Sequence, residues 1–319
     1  MKLSVALCTY NGEKFIEDQI NSILNQTIKI DELIVCDDQS TDNTVTILKS
    51  LQAKAKSTIT IIENESNLKS TKNFEKAIAL CTGDYLFLSD QDDIWDKQKV
   101  EKTLAVFNEN PKAEGVFSNA NLIDEQNHIF TKNTIWDSVF FLEAELNKPL
   151  DFFDIMAKNG NVVTGATLCI KKEIKPFIIP FSTEVLHDEW IAILLALRKT
   201  LYYSKEHLIS YRIHENQQVG MKKLYKIEKI RKQKRIILGL DPAVTFIEKR
   251  ILLKKIYLKI RLIEKLKRNN ITFVNFNELS RDSKIEYEQI VHKIKNEHAL
   301  LFRITSLIDA LFGKRKLKL

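Results

Sequence analysis

Short apolar runs alternate with amphipathic segments over residues 2–124, and this alternation constrains the fold more than any other feature of the chain. The apolar runs have the length of buried strands, and the segments between them carry apolar residues at helical spacing. Because parallel strands are usually joined by a crossover helix, the pattern predicts an α/β fold with a parallel sheet between layers of helices. The five runs are KLSVALCTY, DELIVCDD, TITIIEN, DYLFLSD and AEGVFSNANLID.

Polar residues stand at the carboxyl ends of three of these predicted strands. Parallel strands end at one edge of a sheet, and such sheets bind ligands beyond that edge, so the sequence predicts a shared ligand site there. The acidic groups also have a simpler interpretation, because each precedes a predicted helix and Asp is a favoured N-cap. The residues are Thr9, Tyr10 and Asn11 after the first strand, Asp37 and Asp38 after the second, and Asp90, Asp92 and Asp93 after the fourth.

The acidic residues have no His or Cys neighbours in sequence, which favours a hard divalent cation, Mg²⁺ or Mn²⁺, over zinc. Mg²⁺ is commonly held by one or two carboxylates together with phosphate oxygens of a substrate, so a nucleoside diphosphate is the expected co-ligand. The chain reads CTYNGEKF after its first strand, which is not the GxGxxG turn of dinucleotide-binding proteins, and it contains no P-loop. The sequence therefore disfavours a dinucleotide cofactor and ATP hydrolysis of the P-loop kind.

The 319 residues carry their charge unevenly. Residues 221–319 contain 26 Lys and Arg against 10 Asp and Glu, a net charge of +16, whereas residues 1–220 carry −9. The basic residues are mixed with Ile, Leu and Tyr at helical spacing, and basic amphipathic helices bind anionic membranes, so we expect contact with the inner membrane surface. A helical subdomain with a solvated basic face is the alternative. Nucleic acid is not an expected partner, because no nucleic-acid-binding motif is present and residues 1–220 are acidic.

Four widely spaced Cys residues form neither a CxxC pair nor a zinc-type pattern. Three of them lie in or beside apolar runs, which favours buried, reduced thiols in a cytoplasmic protein. The first apolar run is too short for a signal peptide, and no run approaches the roughly 18 apolar residues of a membrane-spanning helix. We therefore expect a cytoplasmic protein that is peripheral on the cytoplasmic face of the cell membrane.

Seven blocks within residues 1–220 resemble, in the same order, the family 2 glycosyltransferases with the GT-A fold. The SDQDDIW and YRIHENQQVG wording is most similar to the bacterial rhamnosyltransferase-type members. The resemblance implies a GT-A Rossmann-like sandwich with a mostly parallel central sheet. It divides the chain into a catalytic domain, residues 1–220, with a nucleotide-binding half (1–120) and an acceptor-binding half (121–220), and a basic helical region, residues 221–319. The blocks are VALCTYNGEKFIEDQINSILNQT, ELIVCDDQSTDNT, NLKSTKNFEKAI, LFLSDQDDIW, VTGATLCIKK, HDEW and YRIHENQQVG.

The resemblance also implies roles for individual residues. It makes Asp92 the direct metal ligand, and His214 is a further candidate ligand. Asp188 of HDEW corresponds to the catalytic base, which takes the proton of the acceptor hydroxyl as the new bond forms, and Glu189 is its rival. Capping of the following helix is the alternative for both. The implied nucleotide-sugar-binding residues are Thr9, Tyr10, Asn11, Asp37, Asp38, Lys72, Asp90, Gln91 and Arg212, and the acceptor side is assigned to Gly165, Glu189 and Trp190.

One position departs from the family pattern, because Lys69 stands where a Gly is usual, and this leaves the shape of the following loop open. The expected function is an inverting, metal-dependent transfer of sugar from a nucleotide-diphosphate donor to a saccharide acceptor, expected to be lipid-linked, in bacterial surface polysaccharide synthesis. The donor expected first is dTDP-rhamnose, with a UDP-hexose or UDP-N-acetylhexosamine as alternative. A non-catalytic membrane-binding scaffold on a degenerate GT-A fold is the alternative from another class, and the intact Asp90, Asp92 and Asp188 disfavour it.

Overall fold

The chain divides into two compact units in the computed structural model. The first comprises Met1–Phe141 with Asn161–Leu224, and the second comprises Leu142–Gly160 with Tyr225–Leu319. The segment Leu142–Gly160, expected within a domain of residues 1–220, belongs to the second unit because its helix packs against helices of the C-terminal region. The end of YRIHENQQVG and the basic residues of LFGKRKLKL lie outside the described residues. The structure describes residues 1–55, 58–143, 150–215, 217, 227–269 and 271–311.

One sheet, formed by nine described strands, organises the first unit. In chain order the strands are β1 (Leu3–Thr9), β2 (Glu32–Asp37), β3 (Thr58–Glu63), β4 (Tyr85–Ser89), β5 (Ile94–Trp95), β6 (Gly115–Ile123), β7 (Ile129–Thr134), β8 (Cys169–Lys171) and β9 (Leu201–Arg212). Their spatial order is β3-β2-β1-β4-β8-β6-β9-β5, and β7 pairs with β6. Strands β3, β2, β1 and β4 run parallel to one another, as the alternating pattern predicts, and β8 enters antiparallel between β4 and β6.

The helices of both units are numbered in chain order. They are α1 (Ile16–Leu24), α2 (Thr44–Lys54), α3 (Lys69–Leu80), α4 (Lys99–Glu109), α5 (Ile135–Val139), α6 (Phe152–Asn159), α7 (Lys175–Ile178), α8 (His187–Arg198), α9 (Ile227–Ile237), α10 (Phe246–Leu266), α11 (Phe276–Glu297) and α12 (Ala299–Leu311). Short 3₁₀ turns occur at Gly165–Thr167, Lys172–Ile174 and Lys267–Asn269.

Strand β1 lies between β2 and β4, and all seven of its side chains are buried. Its apolar sequence suits a strand that is covered on both faces. Helix α1 packs through the buried Ile16, Ile20 and Ile23, and burying each of these side chains contributes about 1.5–3 kcal/mol. The strand register sets Thr9 of β1 opposite Asp37 of β2. The loops after β1, β2 and β4 therefore leave the sheet at the same edge.

Lys69, at the start of α3, has a φ of +66°, in the left-handed region that Gly adopts without a Cβ penalty. The side chain of Asp38 stabilises this turn, because it accepts the N–H groups of Leu68 at 2.7 Å and of Lys69 at 2.9 Å. The usual Gly at this position thus has a physical reason, and here Lys69 adopts the same kind of conformation with the help of a carboxylate.

The second unit is helical, and its core contains Leu253, Ile256, Ile260, Tyr287 and Ile294. Several of its basic side chains are buried in ion pairs rather than solvated. Lys158 contacts Asp154 at 2.9 Å and Glu286 at 2.6 Å, and Lys259 contacts Asp154 at 2.5 Å. Across the described ranges, no helix is both long enough and apolar enough to cross a membrane.

The four Cys residues, Cys8, Cys36, Cys81 and Cys169, are buried free thiols. Burial raises the pKa of Cys36 to about 11 and that of Cys81 to about 12. The prediction that the thiols are buried is therefore confirmed.

Candidate functional site

Asp90–Asp93 connect β4 to β5 at the edge of the sheet where β1 also ends. The side chain of Gln91 fixes this connection to the loop after β1. Its Oε1 accepts the N–H of Tyr10 at 2.7 Å, and its Nε2 donates to the Tyr10 carbonyl at 3.0 Å. A Cβ at Gly12 would lie 2.5 Å from the Gln91 Oε1, so a larger residue there would displace this amide. The loop after β1 thus holds the segment Asp90–Asp93, which we call the acidic connection.

Three carboxylates, those of Asp90, Asp92 and Asp188, share one site. Burial raises the pKa of Asp90 to about 8, and the charges of Asp92 and Asp188 add to this shift. Burial also raises the pKa of Asp188 to about 6. Carboxyl groups that disfavour one another's ionisation carry more negative charge than their surroundings balance, and a divalent cation would supply further positive charge. The structure therefore brings HDEW to the acidic connection, although the two motifs lie far apart in sequence.

Asp92 and His214 form the pair that best fits a metal ion. The Nε2 atom of His214 lies 2.9 Å from the Oδ2 atom of Asp92. The two groups contact each other directly, so a metal ion held by both would take the place of this contact. In the part of the chain that the structure describes, no three His, Cys, Asp or Glu side chains are grouped to hold a metal. Water and substrate phosphate would complete the coordination, which is the usual situation for Mg²⁺.

Arg212, at the end of β9, is fully buried and supports the acidic connection from inside. Its backbone N–H donates to the Asp93 Oδ1 at 2.9 Å, its Nε donates to the Asp92 carbonyl at 2.7 Å, and its Nη1 donates to the Asp124 carbonyl at 2.8 Å. The guanidinium also lies 4.4 Å from the ring centroid of Phe15. These bonds position the Asp92 backbone, and contact of Arg212 with the nucleotide stays a prediction.

Asp188 lies in the first turn of α8, and its two oxygens are held by backbone donors. Its Oδ2 accepts the N–H of Gly165 at 3.0 Å, and its Oδ1 accepts the N–H of Glu189 at 2.7 Å. Leu186 is the N-cap residue of α8, so Asp188 is not the cap that the alternative interpretation required. A buried carboxyl group with a pKa of about 6 is ionised at neutral pH and can accept a proton there.

His187 precedes Asp188 and fills the space beside Gly165. Its imidazole stacks on Phe74 with the ring centroids 3.8 Å apart, and its Nε2 has no hydrogen-bond partner. A Cβ at Gly165 would lie 2.6 Å from this Nε2. The sequence assigned Gly165 to the acceptor side, but the structure requires Gly there because His187 is packed against it. Burial lowers the pKa of His187 to about 3, so the imidazole is neutral.

Asp37 and Asp38 are buried and bonded within the protein. Asp37 accepts from the Thr9 hydroxyl at 2.7 Å and from the Ser40 N–H at 2.8 Å. Asp38 caps the start of α3, so the capping interpretation applies to it, although the helix involved is not the one that follows it directly. Contact of either carboxylate with a nucleotide stays a prediction.

The other residues assigned from the sequence have varied surroundings. Tyr10 keeps 38% of its surface exposed at the site edge, whereas the Asn11 Oδ1 accepts the N–H of Thr41 at 2.8 Å. Lys72 contacts Glu75 at 2.6 Å and takes part in holding α3. Trp190, expected on the acceptor side, is buried, and its indole N–H donates to the Ile178 carbonyl at 2.8 Å, so it is a core residue.

Sequence reasoning missed two buried residues next to the site, His187 and Lys99. A His or a Lys at the first position of a helix normally faces solvent, so neither position gave a signal. Only the three-dimensional contacts show that both side chains point inward.

Comparisons with known proteins identify the family and the fold of this chain. A family model described as "Glycosyl transferase family 2" matches residues 4–165. The dTDP-rhamnosyl transferase RfbG of Shigella flexneri is 32% identical over 227 residues, which are 67% of this chain and 73% of that protein. The UDP-Glc:alpha-D-GlcNAc-diphosphoundecaprenol beta-1,3-glucosyltransferase WfaP of Escherichia coli is 26% identical, over 66% of this chain and 77% of its own.

Among solved structures, S. aureus TarS (residues 1–349) in complex with UDP-GlcNAc superimposes with a TM-score of 0.54 and 18% identity. The match covers 82% of this chain and 73% of that one. This similarity in fold confirms the expected α/β fold of the GT-A type.

Proposed function

The chain belongs to glycosyl transferase family 2, and we propose that it moves a sugar from a nucleoside-diphosphate donor to a saccharide acceptor, with inversion at the transferred carbon. The observation that carries the proposal is the meeting of Asp90, Asp92 and Asp188 in one site. Direct displacement needs positive charge at the leaving diphosphate and a separate base at the attacking hydroxyl. The acidic connection can hold a cation that supplies this positive charge, and Asp188 can act as the base.

In the proposed reaction, the acceptor oxygen bonds to the anomeric carbon as the bond from that carbon to the diphosphate breaks. Asp188 takes the hydroxyl proton, because its pKa of about 6 leaves it ionised at neutral pH and the N–H groups of Gly165 and Glu189 orient its oxygens. A divalent cation, held by Asp92 and His214, would supply positive charge next to the departing diphosphate. Arg212 and Gln91 keep the acidic connection in place from either side.

For the donor, we propose dTDP-rhamnose first, because RfbG is named for that sugar nucleotide and is 32% identical. A UDP-hexose or UDP-N-acetylhexosamine is the second candidate, since WfaP is named for UDP-Glc. The acceptor named for WfaP is a sugar on a diphosphoundecaprenol lipid, which supports a lipid-linked saccharide in bacterial polysaccharide synthesis as the acceptor of this chain.

A lipid-linked acceptor would place the enzyme at the inner membrane surface, and α10 offers a face for that contact. Ile247 and Leu258 are 69% and 42% exposed, and Lys254 and Arg261 are exposed with them. Their spacing puts the four residues on one side of the helix. Apolar side chains between basic ones favour an anionic lipid surface.

The test is incubation of the protein with a panel of nucleotide sugars, with Mn²⁺ or with a chelator, and measurement of released nucleoside diphosphate. We expect release that depends on metal and on an added acceptor, and that Asp188→Asn strongly reduces. Binding of dTDP against UDP, measured by calorimetry in the presence of Mn²⁺, identifies the nucleotide. Absence of release with every donor, or release that the chelator leaves unchanged, contradicts the proposal.

A further inference from the structure

The side chain of Lys99 is buried inside the first unit, near the acidic connection. It is the first residue of α4, its side chain has no exposed surface, and its Nζ donates to the Ala166 carbonyl at 2.7 Å. The same Nζ lies 3.7 Å from the ring centroid of Trp95. A buried ammonium group is costly unless nearby groups compensate its charge, so a Lys at this position needs an explanation.

The compensation comes from the acidic connection. Burial lowers the pKa of Lys99 to about 7, and the negative charges of Asp93 and Asp90 act against that shift. The ring of Trp95 adds a favourable contact, since an aromatic face attracts a cation. Lys99 is therefore a buried side chain held between the Trp95 ring and the Ala166 carbonyl, and Asp90 and Asp93 favour its charged form.

The bond to Ala166 links this charge to the base. Ala166 belongs to the 3₁₀ turn Gly165–Thr167, and the N–H of the preceding residue, Gly165, donates to the Asp188 Oδ2 at 3.0 Å. One turn thus accepts a hydrogen bond from Lys99 and donates one to Asp188. A displacement of this turn would move the N–H group that orients the base.

We propose that Lys99 is a positioning residue for sugar transfer: its buried ammonium group, held over the Trp95 ring, anchors the Gly165–Thr167 turn and so sets the orientation of the Asp188 carboxylate. The inference rests on the proposed function, because it assigns Lys99 to the step in which Asp188 takes the acceptor proton. It predicts a defect in turnover rather than in nucleotide binding.

The test compares Lys99→Met, which keeps the length of the side chain but removes its charge and donors, with Lys99→Arg, which keeps both. We expect Lys99→Met to lower kcat about 10- to 100-fold, because small misplacement of a reacting group has effects of this size, and to change the donor KM less than about threefold. Lys99→Arg restores part of the loss. Binding of the nucleoside diphosphate with Mn²⁺, measured by calorimetry, stays within about threefold of the wild type.

Lys102→Met is the matched control, since Lys102 lies one turn further along α4 and pairs with Glu206 at the surface, where an ion pair contributes little. It keeps the wild-type kcat. An unchanged kcat in Lys99→Met overturns the inference, and so does a loss of diphosphate binding in step with kcat, which would indicate a structural role. If Lys99→Met does not fold, Lys99→Gln is judged by the same criteria. A wild-type protein without transferase activity contradicts the proposed function instead.

Discussion

The environment of each carboxyl group at the site decides what it can do. Asp188 and Asp90 are the same residue type, but burial alone raises the pKa of Asp188 to about 6, whereas burial and two neighbouring carboxylates raise that of Asp90 to about 8. A carboxyl group with a pKa just below 7, such as Asp188, is ionised at neutral pH and can accept a proton. A carboxyl group with a pKa above 7, such as Asp90, stays protonated until a bound cation favours its ionised form. The two roles can therefore be separated by experiment.

Asp188→Asn should lower kcat about 10²- to 10⁴-fold, because the amide cannot accept the acceptor proton. Diphosphate binding with Mn²⁺ should be unchanged. In the wild type, kcat should rise with pH through about 6 and level off above it, since the base must lose its proton first. Glu189→Gln is the control and should cost less than tenfold. A larger loss in Glu189→Gln than in Asp188→Asn would reverse the two assignments.

His214→Ala should raise the Mn²⁺ concentration that gives half-maximal diphosphate binding about 10- to 100-fold, because the Nε2 beside the Asp92 carboxylate is removed. The measurement is a calorimetric Mn²⁺ titration at saturating diphosphate. His128→Ala, at an exposed position, is the control and should bind as the wild type does. Equal affinities for the two variants would exclude His214 as a ligand.

His187 should make the protein sensitive to mild acid. Its pKa is lowered to about 3 from 6.5, so between these values the unfolded chain binds a proton that the folded protein does not, and the free energy of unfolding falls as pH drops below about 6.5. His187→Phe keeps an aromatic ring against Phe74. Its free energy of unfolding, measured with urea, should fall less between pH 7 and pH 5 than that of the wild type. His128→Phe should retain the wild-type pH dependence, and an unchanged pH dependence in His187→Phe would contradict the assignment.

At the scale of elements, the sequence predicts those strands and helices that have a regular spacing of apolar residues. The strands β1 to β4 and the helices between them follow from alternating patterns, and their parallel pairing follows from the crossover helices. The antiparallel entry of β8 and the pairing of β5 with β9 depend on contacts between distant residues, which no local pattern encodes. The same limit applies to the bond from Asp38 to the start of α3 and to the burial of Arg212.

The outward face of α10 should bind anionic lipid. Lys254→Glu reverses one charge on this face, and at about 1 kcal/mol per charge the change of two charges should weaken binding roughly 30-fold. The measurement is co-sedimentation with vesicles that contain phosphatidylglycerol. Lys112→Glu, at an exposed position of the first unit, changes the net charge equally and should bind as the wild type. Equal weakening in both variants, or equal binding to phosphatidylcholine vesicles, would contradict the assignment.

At the scale of the whole molecule, charge and structural division agree only in part. The sequence predicts a basic helical region from residue 221, and the second unit contains the described helices of that region. The second unit also contains α6. Asp154 of α6 pairs with Lys158 of the same helix and with Lys259 of α10. This pairing joins residues about 100 positions apart in sequence, and composition alone does not reveal such a partner. Part of the positive charge is therefore used for folding, and the exposed remainder is available to a lipid surface.

The buried thiols described above have a practical consequence for following the protein at work. Maleimide reagents attack exposed thiolates, and burial keeps Cys8, Cys36, Cys81 and Cys169 both inaccessible and protonated. A single Cys introduced at Leu258 would carry a fluorescent dye while all four native sulfurs stay in place. The colour of that dye would then report, in real time, when α10 meets a lipid bilayer.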